Sequence, residues 1–363
     1  MDKMTHTKFN FNNFLMGFSV AFDNVFKKNE DGVSFNSKRI TYTALRLSNY
    51  TNFTAEHFSD LAAYSLLYKL DVPIEHLNQL PFIDKNIYKD KEIKEILDVS
   101  SLIENNINIK YNIIINKDEI IDKVLESNLF SDLLKENFND LSSDMTFWLD
   151  LTNEQQLPFH IYNFLQDFTI EIEYNKLIKL SEIINEIIYA YTNNNNINTI
   201  STKCKEMCQI YNMDNKDTSR MIIAANLHCI GKLFSSKDIY YKSNILTKEE
   251  IDMIKAIPYF SHAIISSVFG FDDIAKLCST YNERLDGTGT PYELEASHLS
   301  LKDRLLAILV IYQALLEKKV YRKSFSHEEA IEILKKEAIA EKLDLSIVED
   351  LNKLNKNKGE QNV

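Results

Sequence analysis

The sequence predicts an all-α protein, and three observations support that fold class. The 363 residues include only 7 Gly and 5 Pro, which are too few for the many tight turns of a hairpin-rich β architecture. Apolar residues recur three to four positions apart along most segments, as they do on the buried face of an amphipathic helix. With 45% hydrophobic and 26% charged residues, the chain has a globular composition and enough length for two domains.

The first 150 residues contain two predicted helices and two less regular features. Residues 37–50 show helical spacing of their apolar side chains. Residues 14–26 predict an amphipathic helix, a candidate docking element for a partner. Residues 105–116, rich in Ile and Asn, stay unassigned because strand and loop compete with helix there. Trp148, the only Trp, is predicted to be a mostly buried anchor between two domains.

In the second half, two helix starts carry a specific signal. Thr247 precedes Glu250 by three positions, and Ser326 precedes Glu329 by the same spacing. Each pair has the pattern of a capping box, in which the hydroxyl and the carboxylate each accept from the other residue's backbone N–H. Both are followed by apolar residues at helical spacing, clearest in residues 328–338.

Charge and composition exclude several classes of function. A formal net charge of −12 would repel nucleic acid and anionic membranes, and no apolar stretch reaches the roughly 18 residues of a membrane helix. The glycine patterns of P-loop and Rossmann nucleotide sites do not occur. Four cysteines in so long a chain do not resemble a secreted disulfide framework, so we expect a cytoplasmic protein.

Three motifs in the second half follow one another in a recognisable order. Residues 226–233 read NLHCIGKL, residues 282–291 read NERLDGTGTP, and a helical stretch from residue 304 ends in VYRK at residue 323. They resemble, in that order, the HDxGK, HHExxDGxGYP and PYRKA segments of the HD-GYP subgroup of the HD superfamily. The resemblance covers about residues 184–354.

The resemblance implies a helical bundle and a metal-dependent chemistry. Members of the HD-GYP subgroup hold two or three transition-metal ions, usually iron or manganese, and a metal-bound hydroxide attacks a phosphodiester of cyclic di-GMP. Imidazoles and carboxylates supply the ligands, because dications bind neutral nitrogen or anionic oxygen and need an open position for water.

Carried over position by position, the ligand set of the subgroup is almost entirely replaced. His228 is the one matching residue of about six, and the aspartate of the HD pair falls on Cys229. Thr290 stands where the GYP tyrosine is expected. The sequence therefore predicts a catalytically inactive protein with no metal and no other cofactor. The other replaced positions are Asn196, Ile257, Tyr281, Asn282 and Val310.

A weak internal repeat indicates a second copy of the same unit. Asn36 precedes Tyr68 by the same 32 positions that separate Asn196 from His228, so Lys69 corresponds to Cys229. In this first copy, the ammonium of Lys69 replaces the bridging aspartate and would repel a metal. We expect two tandem HD-like helical bundles, a reduced one in residues 1–149 and a degenerate HD-GYP domain in residues 150–363.

Five cations persist among the motifs where the metal ligands do not: Lys232, Arg284, Arg304, Arg322 and Lys323. The first four are candidate phosphate contacts. In HD-GYP proteins several of these positions lie near the substrate phosphates, and a guanidinium can bind phosphate oxygens through two hydrogen bonds. The alternative is that they join helices through neighbouring carboxylates.

Cys204 and Cys208 lie four positions apart on one predicted helical face. With His228 and Cys229 they could form a soft-metal site, but cysteine also packs as a small hydrophobe. Core packing is the simpler interpretation.

Three functions remain open at this point. The first is a catalytically inactive regulatory or scaffolding module of bacterial signalling that binds a protein partner or self-associates. The second is a sensor that binds cyclic di-GMP, or another cyclic dinucleotide, without hydrolysing it. The third is a working metal-dependent phosphodiesterase with a rerouted ligand set, drawn from Glu182, Glu186, His228, Cys229 and His262.

Overall fold

The computed structural model describes residues 5–26, 36–67, 90–165, 169–192, 200–318 and 322–361. Within them the chain forms two compact units, the N-terminal unit Asn10–Thr169 and the C-terminal unit, which runs from Ile170 onward and includes the strand residues up to Phe9. The predicted boundary lay between residues 149 and 150. The structure places it at Thr169, because the helices of residues 145–164 pack against elements of the N-terminal unit.

The N-terminal unit is built around a buried helix. The helix predicted in residues 37–50 is present as Ser37–Ser48, and all but one of its residues are buried among its neighbours. Helices of this unit are α1 (Phe11–Phe26), α2 (Ser37–Ser48), α3 (Ala55–Leu67), α4 (Lys91–Asn106), α5 (Lys117–Leu125), α6 (Asp132–Ser142), α7 (Met145–Thr152) and α8 (Leu157–Phe164). Helix α2 packs against α3, α4 and α8.

Helix α1 is a core element, which corrects the docking role predicted for residues 14–26. Phe14 and Phe18 are 1% and 0% exposed, and their rings stack with centroids 4.3 Å apart. The apolar face that would receive a partner is therefore already covered by the unit's own side chains.

The unassigned residues 105–116 end α4 and form a small hairpin. Strands β2 (Ile109–Lys110) and β3 (Ile113–Ile114) are antiparallel. Tyr111 and Asn112 connect them with φ values of 54° and 58°, the left-handed conformation that a two-residue hairpin turn requires. Isoleucine has a high propensity for strands, and asparagine tolerates the left-handed backbone conformation of the turn.

Trp148 is an anchor within one unit rather than between two domains. It lies in α7, is 5% exposed, and its indole N–H donates to the Ser142 carbonyl at 2.8 Å. This bond joins α7 to the end of α6, so the prediction of burial is confirmed while its inter-domain role is corrected.

The C-terminal unit begins with a two-stranded sheet of β1 (His6–Asn10) and β4 (Thr169–Glu173) and continues as helices. Both predicted capping boxes are present at the starts of α13 and α16. Among the helices of the described residues, none has the length and apolar character needed to cross a lipid bilayer. The remaining elements are α9 (Tyr174–Tyr191), α10 (Ile200–Ile210), α11 (Asn215–Leu227), the 3-10 helix Ile230–Phe234, α12 (Lys237–Tyr241), α13 (Lys248–Ile265), α14 (Asp272–Thr280), the 3-10 helix Ala296–His298, α15 (Leu301–Leu316), α16 (His327–Ile339) and α17 (Leu345–Gln361).

Candidate functional site

The candidate site centres on His228, at the point where α11 ends and the 3-10 helix Ile230–Phe234 begins. Ser261 of α13 holds this junction, since its Oγ donates to the His228 carbonyl at 2.6 Å and accepts from the Gly231 N–H at 2.9 Å. A Cβ at Gly231 would lie 2.2 Å from the Ile257 carbonyl oxygen. Only glycine therefore allows α13 to pack this closely against the junction.

The imidazole of His228 is buried and neutral. Its Nδ1 lies 2.7 Å from the Ala225 carbonyl oxygen, which assigns the proton to Nδ1 and leaves the Nε2 lone pair free of that bond. Burial, assisted by the positive charge of Lys232, lowers the pKa of His228 to about 4. The ring of Tyr281 meets the imidazole edge to face, with centroids 4.9 Å apart.

Three buried tyrosines interact electrostatically with Cys229. Burial raises the pKa of Tyr189, Tyr240 and Tyr281, and a negative charge on Cys229 would raise each pKa further. These phenols are therefore protonated at neutral pH and can donate hydrogen bonds but not bind a cation as phenolate. Tyr240 pairs with the Ser235 hydroxyl.

Glu317 is the carboxylate that the sequence reasoning missed. It is 4% exposed, its Oε1 accepts from the Tyr189 hydroxyl at 3.0 Å, and the Gln313 side-chain amide lies 3.4 Å from the same oxygen. It directly follows α15 and lies outside the motif positions. The available signal was a charged residue at the end of a long apolar helix, a place where burial requires a polar partner.

The replaced ligand positions carry few groups that bind a metal ion. Ile257 is 3% exposed in α13, and the Asn282 side-chain amide donates to Thr290 Oγ1 at 2.6 Å. Val310 lies in α15, and Asn196 lies outside the described residues. No group of three or more His, Cys, Asp and Glu side chains within the described ranges is arranged to hold a metal ion. The donors that surround His228 do not fit two hard dications.

The alternative ligand set includes residues of α9 and α13. Glu182 lies 3.4 Å from the ammonium of Lys179, Glu186 is exposed, and His262 occupies the last turn of α13. In the N-terminal unit, Asn36 caps α2, while its repeat counterparts Tyr68 and Lys69 lie outside the described residues.

Two of the four candidate phosphate contacts use their guanidinium on the protein itself. Arg304 donates to the carbonyls of Ala296 at 2.7 Å and Leu299 at 3.0 Å, and it pairs with Asp344 at 3.1 Å. Arg322 donates to several carbonyls at the C-terminal end of α15, including Ala314 at 2.6 Å, and lies 4.7 Å from the Phe325 ring centre. Both contribute to holding the chain around α15.

The other two cations have fewer internal partners. Lys232 is half-buried and its ammonium lies 6.0 Å from the ring centre of Tyr240; within the described ranges it forms no ion pair. Arg284 is half-buried and donates to the Glu283 carbonyl at 2.8 Å, and burial lowers the pKa of Arg284. No contact in the described parts of the chain joins Lys232 to Arg284.

The loop after α14 is held by a buried carboxylate. Glu283 is 1% exposed and accepts from the Tyr292 N–H at 2.9 Å and the Leu294 N–H at 3.0 Å. Gly289 crosses so close to Glu283 that a Cβ there would lie 2.3 Å from the Glu283 Cα. This loop therefore has the contacts of a structural clasp.

Cys204 and Cys208 are both 0% exposed and unbonded to another cysteine, in α10. Their predicted role in core packing is confirmed.

Comparison with known proteins identifies the C-terminal unit. Residues 170–347 match the HD domain family. Over these residues the chain resembles an HD domain. The cyclic di-GMP phosphodiesterase PdeB of Borreliella burgdorferi is 35% identical over 124 residues, 34% of this chain and 33% of that protein. The 3'3'-cGAMP-specific phosphodiesterase 1 of Vibrio cholerae is 26% identical over 148 residues, 41% of this chain and 34% of that protein.

The matched segments thus cover about one third of the length of these relatives. The crystal structure of a cyclic GMP-AMP-specific phosphodiesterase of V. cholerae shares the fold more widely, with a TM-score of 0.54 at 13% identity over 96% of this chain and 98% of that chain. The predicted all-α fold and the predicted HD-GYP resemblance are confirmed.

Proposed function

We propose that this chain is a catalytically inactive HD-GYP-type protein that acts as a regulatory or scaffolding module. The observation that carries the proposal is the composition of the His228 site. One neutral imidazole, one thiol, protonated phenols and an aliphatic side chain stand at or beside the ligand positions of the family. A phosphodiesterase of this type needs several imidazole and carboxylate ligands before a bound water becomes acidic enough to attack.

The hydrogen-bonding of the site supports the same proposal. His228 Nδ1, the Tyr189 hydroxyl and the Glu317 carboxylate already have partners within the fold. A metal bound at the phenols would have to break the Tyr189–Glu317 bond and remove protons from hydroxyls whose pKa burial has raised. The Nε2 lone pair of His228 would then be a single imidazole ligand, too few for this chemistry.

Metal content and turnover test the proposal together. The purified full chain is incubated anaerobically with Fe²⁺ and separately with Mn²⁺, desalted and assayed for metal by elemental analysis. Cyclic di-GMP and 3'3'-cGAMP are then added, and linear products are separated by chromatography, with an active HD-GYP phosphodiesterase as the positive control. We expect well below one equivalent of metal and no linear product. Two equivalents of metal with product formation would contradict the proposal.

The working partner in this proposal is a protein, either another signalling protein or a second copy of this chain. The net charge of −12 disfavours nucleic acid as the partner. The four thiols, all buried and free of disulfide bonds, suit a reducing compartment, and we infer that the protein works in the cytoplasm. Light scattering across a concentration series tests self-association, because a monomeric mass at every concentration restricts the scaffold to heterologous partners.

A second candidate function is a sensor that binds a cyclic dinucleotide without hydrolysing it. Lys232 favours this candidate, because its ammonium is half-buried without a carboxylate partner among the described residues. An anionic ligand would supply the missing countercharge. Calorimetric titration with cyclic di-GMP and 3'3'-cGAMP tests it, with Lys232→Met as the matched variant. Wild-type binding that Lys232→Met abolishes supports the sensor, and no heat at high micromolar ligand excludes it.

A further inference from the structure

A group of partly exposed aromatic rings lies where α13 packs against the 3-10 helix of the site. The rings of Phe234 and Phe260 stack with centroids 4.9 Å apart and only 3° between their planes, and neither ring is fully buried. Tyr259 extends the group, because its ring meets Phe260 edge to face at 5.7 Å and its residue is 52% exposed. We call these three residues the aromatic ledge.

The ledge differs from the aromatic packing of the cores. Phe14 and Phe18 in α1 also stack, but both are almost completely buried and expose no ring face. Phe234 and Phe260 instead keep part of their surface accessible to solvent while their mutual stacking holds them parallel. A parallel, partly exposed pair presents a ready planar surface without further ordering of side chains.

A cation belongs to the same short helix as one ring of the ledge. Lys232 precedes Phe234 by two positions in the 3-10 helix Ile230–Phe234. Within the described residues this ammonium forms no ion pair; its one aromatic neighbour is Tyr240. Planar apolar surface and unneutralised positive charge therefore occur together.

We propose that the aromatic ledge stacks a nucleobase while Lys232 contacts the phosphate of the same ligand, so that the ligand is a phosphorylated nucleotide. This inference rests on the sensor candidate and names the residues that would recognise the base. Bases stack on aromatic side chains with little dependence on sequence, because every base has a π-face. The anionic phosphate complements the ammonium of Lys232, as an uncharged aromatic ligand would not.

Calorimetric titration of the full chain with cyclic di-GMP and with 3'3'-cGAMP tests the inference. We expect Phe260→Leu to weaken binding by roughly 5- to 100-fold, the range expected for loss of one base stack. Tyr259→Ala, at a more exposed position, should weaken binding without risk to folding. Phe269→Leu removes another exposed aromatic residue, 69% exposed and outside the ledge, and should leave affinity unchanged. Thermal unfolding verifies that each variant is folded.

An abasic ligand separates base stacking from phosphate binding. Ribose 5-phosphate retains the anion but has no base, so we expect its weak binding to respond to Lys232→Met and not to Phe260→Leu. If both ledge variants bind the dinucleotides as the wild type does while Lys232→Met loses them, the ledge inference is wrong and the sensor stands. Absence of wild-type binding overturns the ledge and the sensor together. Hydrolysis of the ligand would contradict catalytic inactivity. The same ledge variants would then still decide whether the aromatic ledge binds the base.

Discussion

The imidazole of His228 and the ring of Tyr281 meet edge to face, with centroids 4.9 Å apart, inside the C-terminal unit. The match to the HD-GYP motifs predicts that His228 keeps a histidine of the pattern and that Tyr281 replaces another. The imidazole in this contact is neutral, because burial and the positive charge of Lys232 both disfavour its protonation. Protonation of His228 would place a second positive charge in that environment.

Acid should therefore destabilise the protein through His228. Its pKa is lowered from 6.5 to about 4, so the folded state binds the proton less readily than the unfolded state does. Stability from this group is fully present above pH 6.5 and is lost as pH falls from 6.5 towards 4. The full loss is about 3 kcal/mol, at 1.36 kcal/mol per pKa unit. Urea unfolding at pH 7.5, 6.0 and 5.0 measures it.

The matched control for this pH effect is His228→Gln, which fills a similar volume and does not titrate. Other groups titrate in the same interval in both proteins, so the difference between wild type and variant isolates His228. Parallel pH profiles for the two proteins would show that His228 contributes nothing to acid sensitivity.

Removing one oxygen of the Glu283 carboxylate should loosen the loop after α14. Glu283→Gln replaces an acceptor by an NH₂ group that must face the N–H of Tyr292 or Leu294, so one buried donor loses its partner. We expect a loss of about 2 kcal/mol in the free energy of unfolding. Hydrogen exchange of residues 286–296 should accelerate. Glu293→Gln, at an exposed position of the same loop, is the control, and equal exchange in both variants would contradict the clasp.

Two glycines should respond very differently to alanine. At Gly289 the added Cβ would lie 2.3 Å from the Glu283 Cα, so the loop backbone must move, and we expect a loss of about 3 kcal/mol or more. At Gly270 the Cβ meets no atom within 4 Å, although φ is +81°, so we expect only about 1 kcal/mol. Thermal unfolding ranks the two variants, and the reverse order would refute the close approach at Gly289.

Removing one partner of the buried pair Arg39–Glu104 should lower the free energy of unfolding more than removing both partners does. Arg39 is 4% exposed, and its Nη1 lies 3.1 Å from Glu104 Oε1; Glu104 is 1% exposed. Burial raises the pKa of Glu104 to about 8 even beside Arg39, so Arg39→Met leaves a buried carboxyl that has lost its countercharge and its donor, and it should cost about 3 to 5 kcal/mol. Adding Glu104→Gln removes this ionisable group and keeps an acceptor for the Asn36 N–H, so it should restore part of the loss. A double variant no more stable than Arg39→Met would contradict this account.

Local patterns predicted the helices well where a specific contact enforces a boundary. The capping boxes at Thr247 and Ser326 each use one hydroxyl and one carboxylate three positions apart, and the same geometry follows wherever that pattern precedes a helix. The boundary between the units was less accessible to sequence reasoning. It depends on which core receives α7 and α8, and the local pattern of a helix does not specify the core against which it packs.

At the site, the sequence supplied the replaced positions but not the residues that fill the space. Tyr281 was found because it falls within a motif. Tyr189, Tyr240 and Glu317 belong to no motif and meet only in three dimensions. Burial and mutual hydrogen bonding are properties of the fold, so a tyrosine in a predicted helix carries no sign of them. Nothing in the sequence indicated that the guanidinium groups of Arg304 and Arg322 donate to backbone carbonyls.

The hydrogen bonds of Tyr189, Glu317 and His228 have a physiological consequence. A bundle whose centre is completed by its own side chains folds to the same state whether or not the cell is starved of iron, whereas a metalloenzyme empties its site under chelation. If the proposed inactivity holds, we expect this protein to keep its shape, and any surface it offers a partner, when chelators remove metal ions. Equal melting temperatures before and after treatment with EDTA are the corresponding signature.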